Sequence, residues 1–294
     1  AMRDLGYQPN LSARRLRSQE NERPVIAFFW PLDYRVSILA SFLNFIQIEI
    51  AESGFDCEMM IQTYENDKLE QYGTTFLKNG YSGAIIGACS AKDQQWLEGI
   101  CPRMPVILIN RESEHFSTVC TDNDEVGLMA ATKIRQKGYT EAAIFASRHS
   151  YFATSQRVQA FISSCERLGI ETDEKYILKG SSTRNGGYEI GKQYAALKEP
   201  KMIFCDSDAI ALGALRAFHE EGISVPGDAE LLSIGMLDPE AASYYVPSLS
   251  VVEMPNKEIG QQVLRLMRKK VLNNDMSSEH VKVHAKLMLR ESFS

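Results

Sequence analysis

From Pro24 onward, short apolar runs alternate with amphipathic stretches. PVIAFFW (24–30) has the length and unbroken hydrophobicity of a strand buried on both faces. VSILASFLNFIQIEIAES (36–53) has helical spacing, and Gly54 stops it. FDCEMMIQ (55–62) predicts a strand and 67–79 a helix. GAIIGA (83–88) predicts a buried strand, 92–99 a short helix, and MPVILIN (104–110) and FSTVCT (116–121) two further strands. A helix over 125–137 ends at Gly138. The pattern then restarts: strand 141–147, helix 155–168, strand 175–180, helix 187–198, strand 201–205, helix 209–221 and strand 229–235. Strand 248–254 leads into a helix over 256–272, and HVKVHAKLMLR (280–290) alternates like one half-buried closing strand.

Repeated βαβ units imply parallel sheets covered by helices on both faces. The expected fold is therefore α/β, with two similar Rossmann-like subdomains at 23–122 and 123–250. Residues 251–294 are expected to cross back and complete both. Open parallel sheets take ligands beyond the carboxyl ends of their strands, so a cleft between two such units is the expected small-molecule site.

Composition narrows the class. Apolar residues make up 44% and charged residues 24% of 294, with a net charge of −6, so the body is not a nucleic-acid surface. The segment 1–18 departs from this, with Arg3, Arg14, Arg15 and Arg17 against the single acid Asp4. Six cysteines stand apart with no CxxC spacing, and most sit in apolar strand-like runs, which suggests that most are buried thiols in a reducing cytoplasm rather than zinc or redox chemistry. No apolar run reaches a membrane-spanning length, and no secretory signal is legible at the start.

Catalytic patterns are sparse. GxGxxG, GxxxxGK[ST] and GxSxG are all absent. His280 and His284 lie four apart on a strand-like segment beside Lys282 and Lys286, which favours an exposed face over a metal site. His149 follows a strand, where a surface loop is the plainer reading. Asp206 and Asp208 in CDSDA also follow a strand; acid–base work or cation binding is open to them, but a carboxylate capping the next helix is favoured. No cofactor, metal or enzymatic activity is expected.

The opening residues are more specific. AMRDLGYQPN reads as a helix ending at Gly6 and a turn through Pro9, and NLSARRLR (10–17) as a short helix capped by Asn10. Eight residues are too few to hold a helix alone, so the segment needs a surface, and its arginines suit phosphate or a minor groove. Leu5, Gly6, Tyr7, Pro9 and Asn10, followed by Ala13 and Leu16, resemble the LGYxPN…AxxL junction of the LacI/GalR family of bacterial regulators. TDNDEVG (121–127) is similar to the family's D-N-x-x-G segment, and SQRVQAF (155–161) to its R-x-x-G-F, with Ala160 in place of glycine. CDSDAIALGALRAFHEEGISVPGD (205–228) and SIGMLDPEAASYYVPSLSVVEMP (233–255) match two further family stretches, so the resemblance runs nearly the whole chain.

The resemblance implies a periplasmic-binding-protein type of fold, with 1–9 as the end of a helix-turn-helix domain and 10–22 as hinge helix and linker. It implies a homodimeric repressor whose affinity for operator DNA is switched by a small effector, a sugar or sugar derivative. Tyr7, Asn10, Ala13, Arg14, Leu16 and Arg17 would contact DNA, Leu16 as a wedge between bases. Arg157 would grip effector oxygens, although an interdomain ion pair, with Asp122 as partner, would suit it too. Asp122, Tyr34, Ser37, Ile38, Tyr151, Ala153, Ser182 and Ser207 fall at implied pocket positions. The acid that grips sugar hydroxyls in relatives falls at Leu237, with Asp238 one place later, and Ser182 stands near the position of a stacking aromatic. The absence of that aromatic implies a wider or more polar pocket, or that Trp30 or Tyr34 takes over the stacking; Trp30 suits the core equally well. A solute-binding protein of a transport system shares the fold and is the alternative reading, but it has no need of residues 5–17.

Overall fold

The computed structural model describes residues 23–32, 36–77, 80–148, 152–197, 199–236 and 239–293. They form two compact units, the first drawn from residues up to Cys120 with Asn256–Val281, the second from Thr121–Pro255 with Lys282–Ser294.

The first unit contains β1 (Val25–Pro31), α1 (Val36–Ser53), β2 (Glu58–Tyr64), α2 (Gly73–Leu77), β3 (Gly83–Gly87), α3 (Ala91–Ile100), β4 (Val106–Ile109) and β5 (Ser117–Thr121). After the second unit, α9 (Asn256–Asn273) and the start of β11 (His280–Val283) return to it. The strand order is β11-β5-β4-β3-β1-β2. β1 lies parallel between β2 and β3, with Ile26 opposite Met59 and Gly83. Its residues 26–30 are all buried, as a strand covered on both faces requires. One face packs Ala27, Phe29, Ile86 and Leu108 under Phe76 and Leu97. On the other, Trp30 lies between Phe28 and Phe42, with ring centroids 5.9 Å from each, and is only 2% exposed. Trp30 is thus a core residue. Gly87 makes room for it: a Cβ there would come within 2.3 Å of the indole.

The second unit repeats the plan with β6 (Ala143–Ser147), α5 (Phe152–Leu168), β7 (Ile177–Gly180), α6 (Arg184–Leu197), β8 (Met202–Cys205), α7 (Asp208–Glu221), β9 (Glu230–Gly235), α8 (Pro239–Tyr244), β10 (Ser250–Glu253) and β12 (Lys286–Met288); α4 (Asn123–Gln136) leads in. Its order is β12-β10-β9-β8-β6-β7, parallel except for β12 against β10. Phe145, Tyr194 and Phe218 anchor its main core.

Three sequence expectations change. The closing segment 280–290 is two strands: β11 joins the first sheet and β12 the second. The stretch 67–79 is a 3-10 turn (Leu69–Tyr72) running into the short α2, with residues 78–79 outside the described set. Its start is dictated from elsewhere: the buried Asp93 carboxylate accepts the N–H groups of Asp67 (3.0 Å) and Leu69 (2.9 Å), and Asp67 takes a left-handed φ of 65°. Finally, Cys101 is exposed, whereas Cys89, Cys165 and Cys205 are buried.

Candidate functional site

Each sheet reverses its strand order once, between β1 and β3 and between β6 and β8. At such a switch point the loops leave in opposite directions and open a crevice at the carboxyl edge. In the second unit that edge is built by long-range backbone contacts. Ser147, ending β6, donates its N–H to Asp206 Oδ2 at 2.6 Å, and Met236, after β9, donates to Asp208 Oδ2 at 2.9 Å. Both aspartates are buried. The N-cap of α7 is Ser207, which makes no side-chain cap bond. This corrects the expectation that an aspartate caps α7: the carboxylates tie three strand ends together instead.

Arg157 stands on α5 and is 2% exposed. Its Nε donates to Asn123 Oδ1 at 2.9 Å, and Asn123 Nδ2 donates to Gln156 Oε1 at 3.1 Å. Asn123 is the first residue of α4, and the two helices meet there because Gly127 faces Ala160. A Cβ on Gly127 would come within 2.4 Å of the Ala160 carbonyl carbon. Asp122 is engaged elsewhere. It caps α4 by accepting the Glu125 N–H at 3.2 Å, and its other oxygen lies 3.2 Å from Lys282 Nζ. Burial raises the Asp122 carboxyl, but the Glu125 N–H and the Lys282 ammonium outweigh it and hold the group below its ordinary value. Asn123, which sequence reasoning passed over, is therefore a residue that positions Arg157. Its place one residue after a capping aspartate was the available signal.

The remaining expected positions divide. Ser207 is 1% exposed at the end of β8, and Ser182 is half-buried after β7. Ile38 is buried in the first turn of α1. Tyr34, Tyr151 and Leu237, with Asp238 and His149, lie outside the described residues, as do the side chains of Ser37 and Ala153. Tyr7, Asn10, Ala13, Arg14, Leu16 and Arg17 also lie outside them. His280 is exposed with Nδ1 3.0 Å from Thr118 Oγ1, and His284 Nδ1 lies 2.7 Å from Glu125 Oε2, so the two rings serve different partners. Among the described residues no group of His, Cys, Asp or Glu is arranged to hold a metal ion, and no helix is long and apolar enough to cross a membrane. Burial pushes the Cys205 thiol well above its ordinary value and Cys89 to about 11, which keeps both protonated and poorly nucleophilic.

Residues 105–293 match the periplasmic binding protein-like domain. The structure is similar to that of a LacI family transcription regulator from Clostridium acetobutylicum, at 30% identity and a TM-score of 0.86, over 91% of this chain and 100% of that one. The chain belongs to the LacI family of transcription regulators. A LacI family regulator from Enterococcus faecium, solved with bound ribose, shares the fold at 19% identity and a TM-score of 0.74, over 92% of this chain and 98% of that one. In sequence the chain is 22% identical to the HTH-type transcriptional repressor PurR of Mannheimia succiniciproducens, over 99% of this chain and 87% of the relative. Two parallel sheets with the same switch-point order, as found here, are thus the LacI family's effector-binding architecture in this chain.

Proposed function

We propose that this LacI family member is a homodimeric transcriptional repressor whose grip on operator DNA is set by a small polar effector, a sugar or sugar derivative. The carrying observation is the buried Arg157, held by Asn123 beside the carboxyl edge of the second sheet. A guanidinium offers five N–H donors in a rigid fork, and fixing Nε fixes the plane of the other four. That suits paired hydroxyl or carboxylate oxygens. Ser207 and Ser182, at the ends of β8 and β7 on either side of β6, are the next assigned contacts, with Tyr34, Ser37, Ile38, Tyr151, Ala153, Leu237 and Asp122 completing the set. The ribose held by the Enterococcus faecium regulator makes pentoses and hexoses the first ligands to try.

The chain acts by binding rather than catalysis, and in the cytoplasm, where the DNA is. Effector binding shifts the population between conformations that differ in affinity for DNA. Tyr7, Asn10, Ala13, Arg14, Leu16 and Arg17 are assigned to the DNA. The similarity to PurR supports this over a solute-binding role, because it spans 99% of the chain and so takes in most of the basic opening segment. The homodimer is favoured by exposed apolar side chains at the end of α8, where Tyr244 is 76% and Val246 94% exposed.

A thermal-shift screen of sugars and sugar phosphates tests the reading. One ligand should raise the melting temperature of the wild type and fail with Arg157→Ala. The same ligand should change the mobility of a complex between the protein and operator DNA. A ligand that stabilises both proteins equally would remove Arg157 from the site.

A further inference from the structure

A cavity lies in the first unit, away from the carboxyl edge, where its strands begin. It measures about 230 Å³ and is lined by Glu98, Cys101, Met104, Phe116, Lys270 and Met276, among others. Its floor is the Lys270 ammonium, 1% exposed and enclosed by the Ser277 carbonyl, Asp275 (3.5 Å) and Glu279 (3.2 Å), so that this cation is already neutralised. Glu98 is different. Its Oε1 accepts two neutral donors, Gln94 Nε2 at 3.1 Å and Ser113 Oγ at 3.2 Å. The half-buried carboxylate pairs with no cation among the described residues. A carboxylate at the rim of a cavity with methionine and phenylalanine walls suits a cation on an apolar stem, which is the form of an arginine side chain.

This chain carries such a group within reach. Arg14, Arg15 and Arg17 precede Arg23, where the described chain enters β1. The cavity opens at the same edge. Val25 is joined through Ser82 to the start of β3, Ala84 to Pro105, and Ile107 lies opposite Ser117. Three strand spacings separate β1 from β5, ~14 Å in all. The six residues from Arg17 to Arg23 span up to ~20 Å when extended. The segment is basic, and the cavity charge that no cation of the described residues meets is the acidic Glu98.

We propose that the arginine segment 14–17 docks in this cavity of its own chain when no DNA is bound, with a guanidinium on Glu98. Docking does not depend on the effector site. Its consequence rests on the proposed function: an arginine held by Glu98 is withheld from DNA phosphate, so the cavity restrains non-specific binding and releases the segment as DNA competes for it.

Proximity tests it directly. Ser18→Cys keeps every arginine and sets a thiol near the exposed Cys101, for coupling by a short bis-maleimide and mapping by mass spectrometry. The expected product joins positions 18 and 101 within one chain, in excess over coupling to Cys57. Its yield should fall about threefold with Glu98→Gln, the size of one half-buried ion pair, and fall likewise in 1 M salt. Coupling between chains, equal coupling to Cys57, or a yield indifferent to Glu98→Gln would overturn the docking. At low salt, Glu98→Gln alone should bind a random duplex about threefold more tightly than the wild type. An intact 18–101 product with unchanged duplex affinity would overturn the restraint. Loss of all DNA binding by wild type and variant, with the product intact, would instead count against the proposed repressor.

Discussion

Arg157 Nε and Asn123 Oδ1 lie 2.9 Å apart, joining the second turn of α5 to the first turn of α4. The bond makes Asn123 a positioning residue for the guanidinium. Asn123→Ala should therefore weaken binding of whichever sugar the screen identifies by about 3- to 10-fold, the worth of one ordinary hydrogen bond, since Asn123 acts through Arg157 and not on the sugar itself. Titration calorimetry checks this, and an unchanged affinity would mean that Arg157 is held in place without Asn123.

Asp206 and Asp208 act as struts between strand ends. Asp208→Ala would leave the buried Met236 N–H without its 2.9 Å acceptor. The expected loss is about 1–3 kcal/mol of unfolding free energy. Asp206→Ala should cost a similar amount through Ser147. Urea denaturation measures both, and a neutral result for either would show that water replaces the carboxylate.

Val246 is almost fully exposed, and a second copy packed on it would bury that side chain. Val246→Asp should raise the dimer dissociation constant about 10-fold or more while leaving the circular dichroism of each chain unaltered. Sedimentation of wild type and variant at micromolar concentration decides it. A wild type that sediments as a monomer would end the homodimer assignment.

Lys137, at the end of α4, meets both oxygens of Glu230 at 2.8 and 2.7 Å and lies 4.6 Å above the Phe293 ring. The pair ties the C-terminal turn and β9 to α4. Lys137→Met would leave a largely buried carboxylate without its cation, with the Tyr139 side chain still bonded to it, at a cost of about 1–3 kcal/mol once the partial exposure of the lysine is allowed for. Lys137→Met with Glu230→Leu should recover much of that loss. A double variant no better than the single one would contradict this.

Asp275 accepts from the Ser277 N–H and hydroxyl, and these bonds hold its carboxyl at about 2, below its ordinary 3.8. A depressed carboxyl stabilises the fold above its unfolded pKa, and that contribution is lost as the folded group is protonated. The denaturation midpoint of wild type should therefore exceed that of Asp275→Asn at pH 7, and the gap should close as pH falls from about 4 towards 2. A constant gap across that range would show that the amide disturbs packing rather than charge.

Local sequence determined most of the element order, because helical and strand periodicities report directly which faces are buried. It did so for β1, whose five central residues have no polar side, and for the restart at β6. It also marked Arg157, through its place in a family motif. The contacts that build the edge were decided only by tertiary structure. Alternation over 280–290 signals a half-buried strand, but it cannot say that β11 and β12 belong to different sheets, because both sheets demand the same period. CDSDA looks like a capping sequence, since a cap and a strut use the same carboxylate. The choice fell to Ser147, 59 residues away, and Met236, 28 away, whose N–H groups reach Asp206 and Asp208 only once β6, β8 and β9 are side by side. Asp93 likewise sets the turn at 67–69 from another helix. A hydrogen bond between distant residues leaves no periodic trace in either segment, so these features became legible only when the chain had folded.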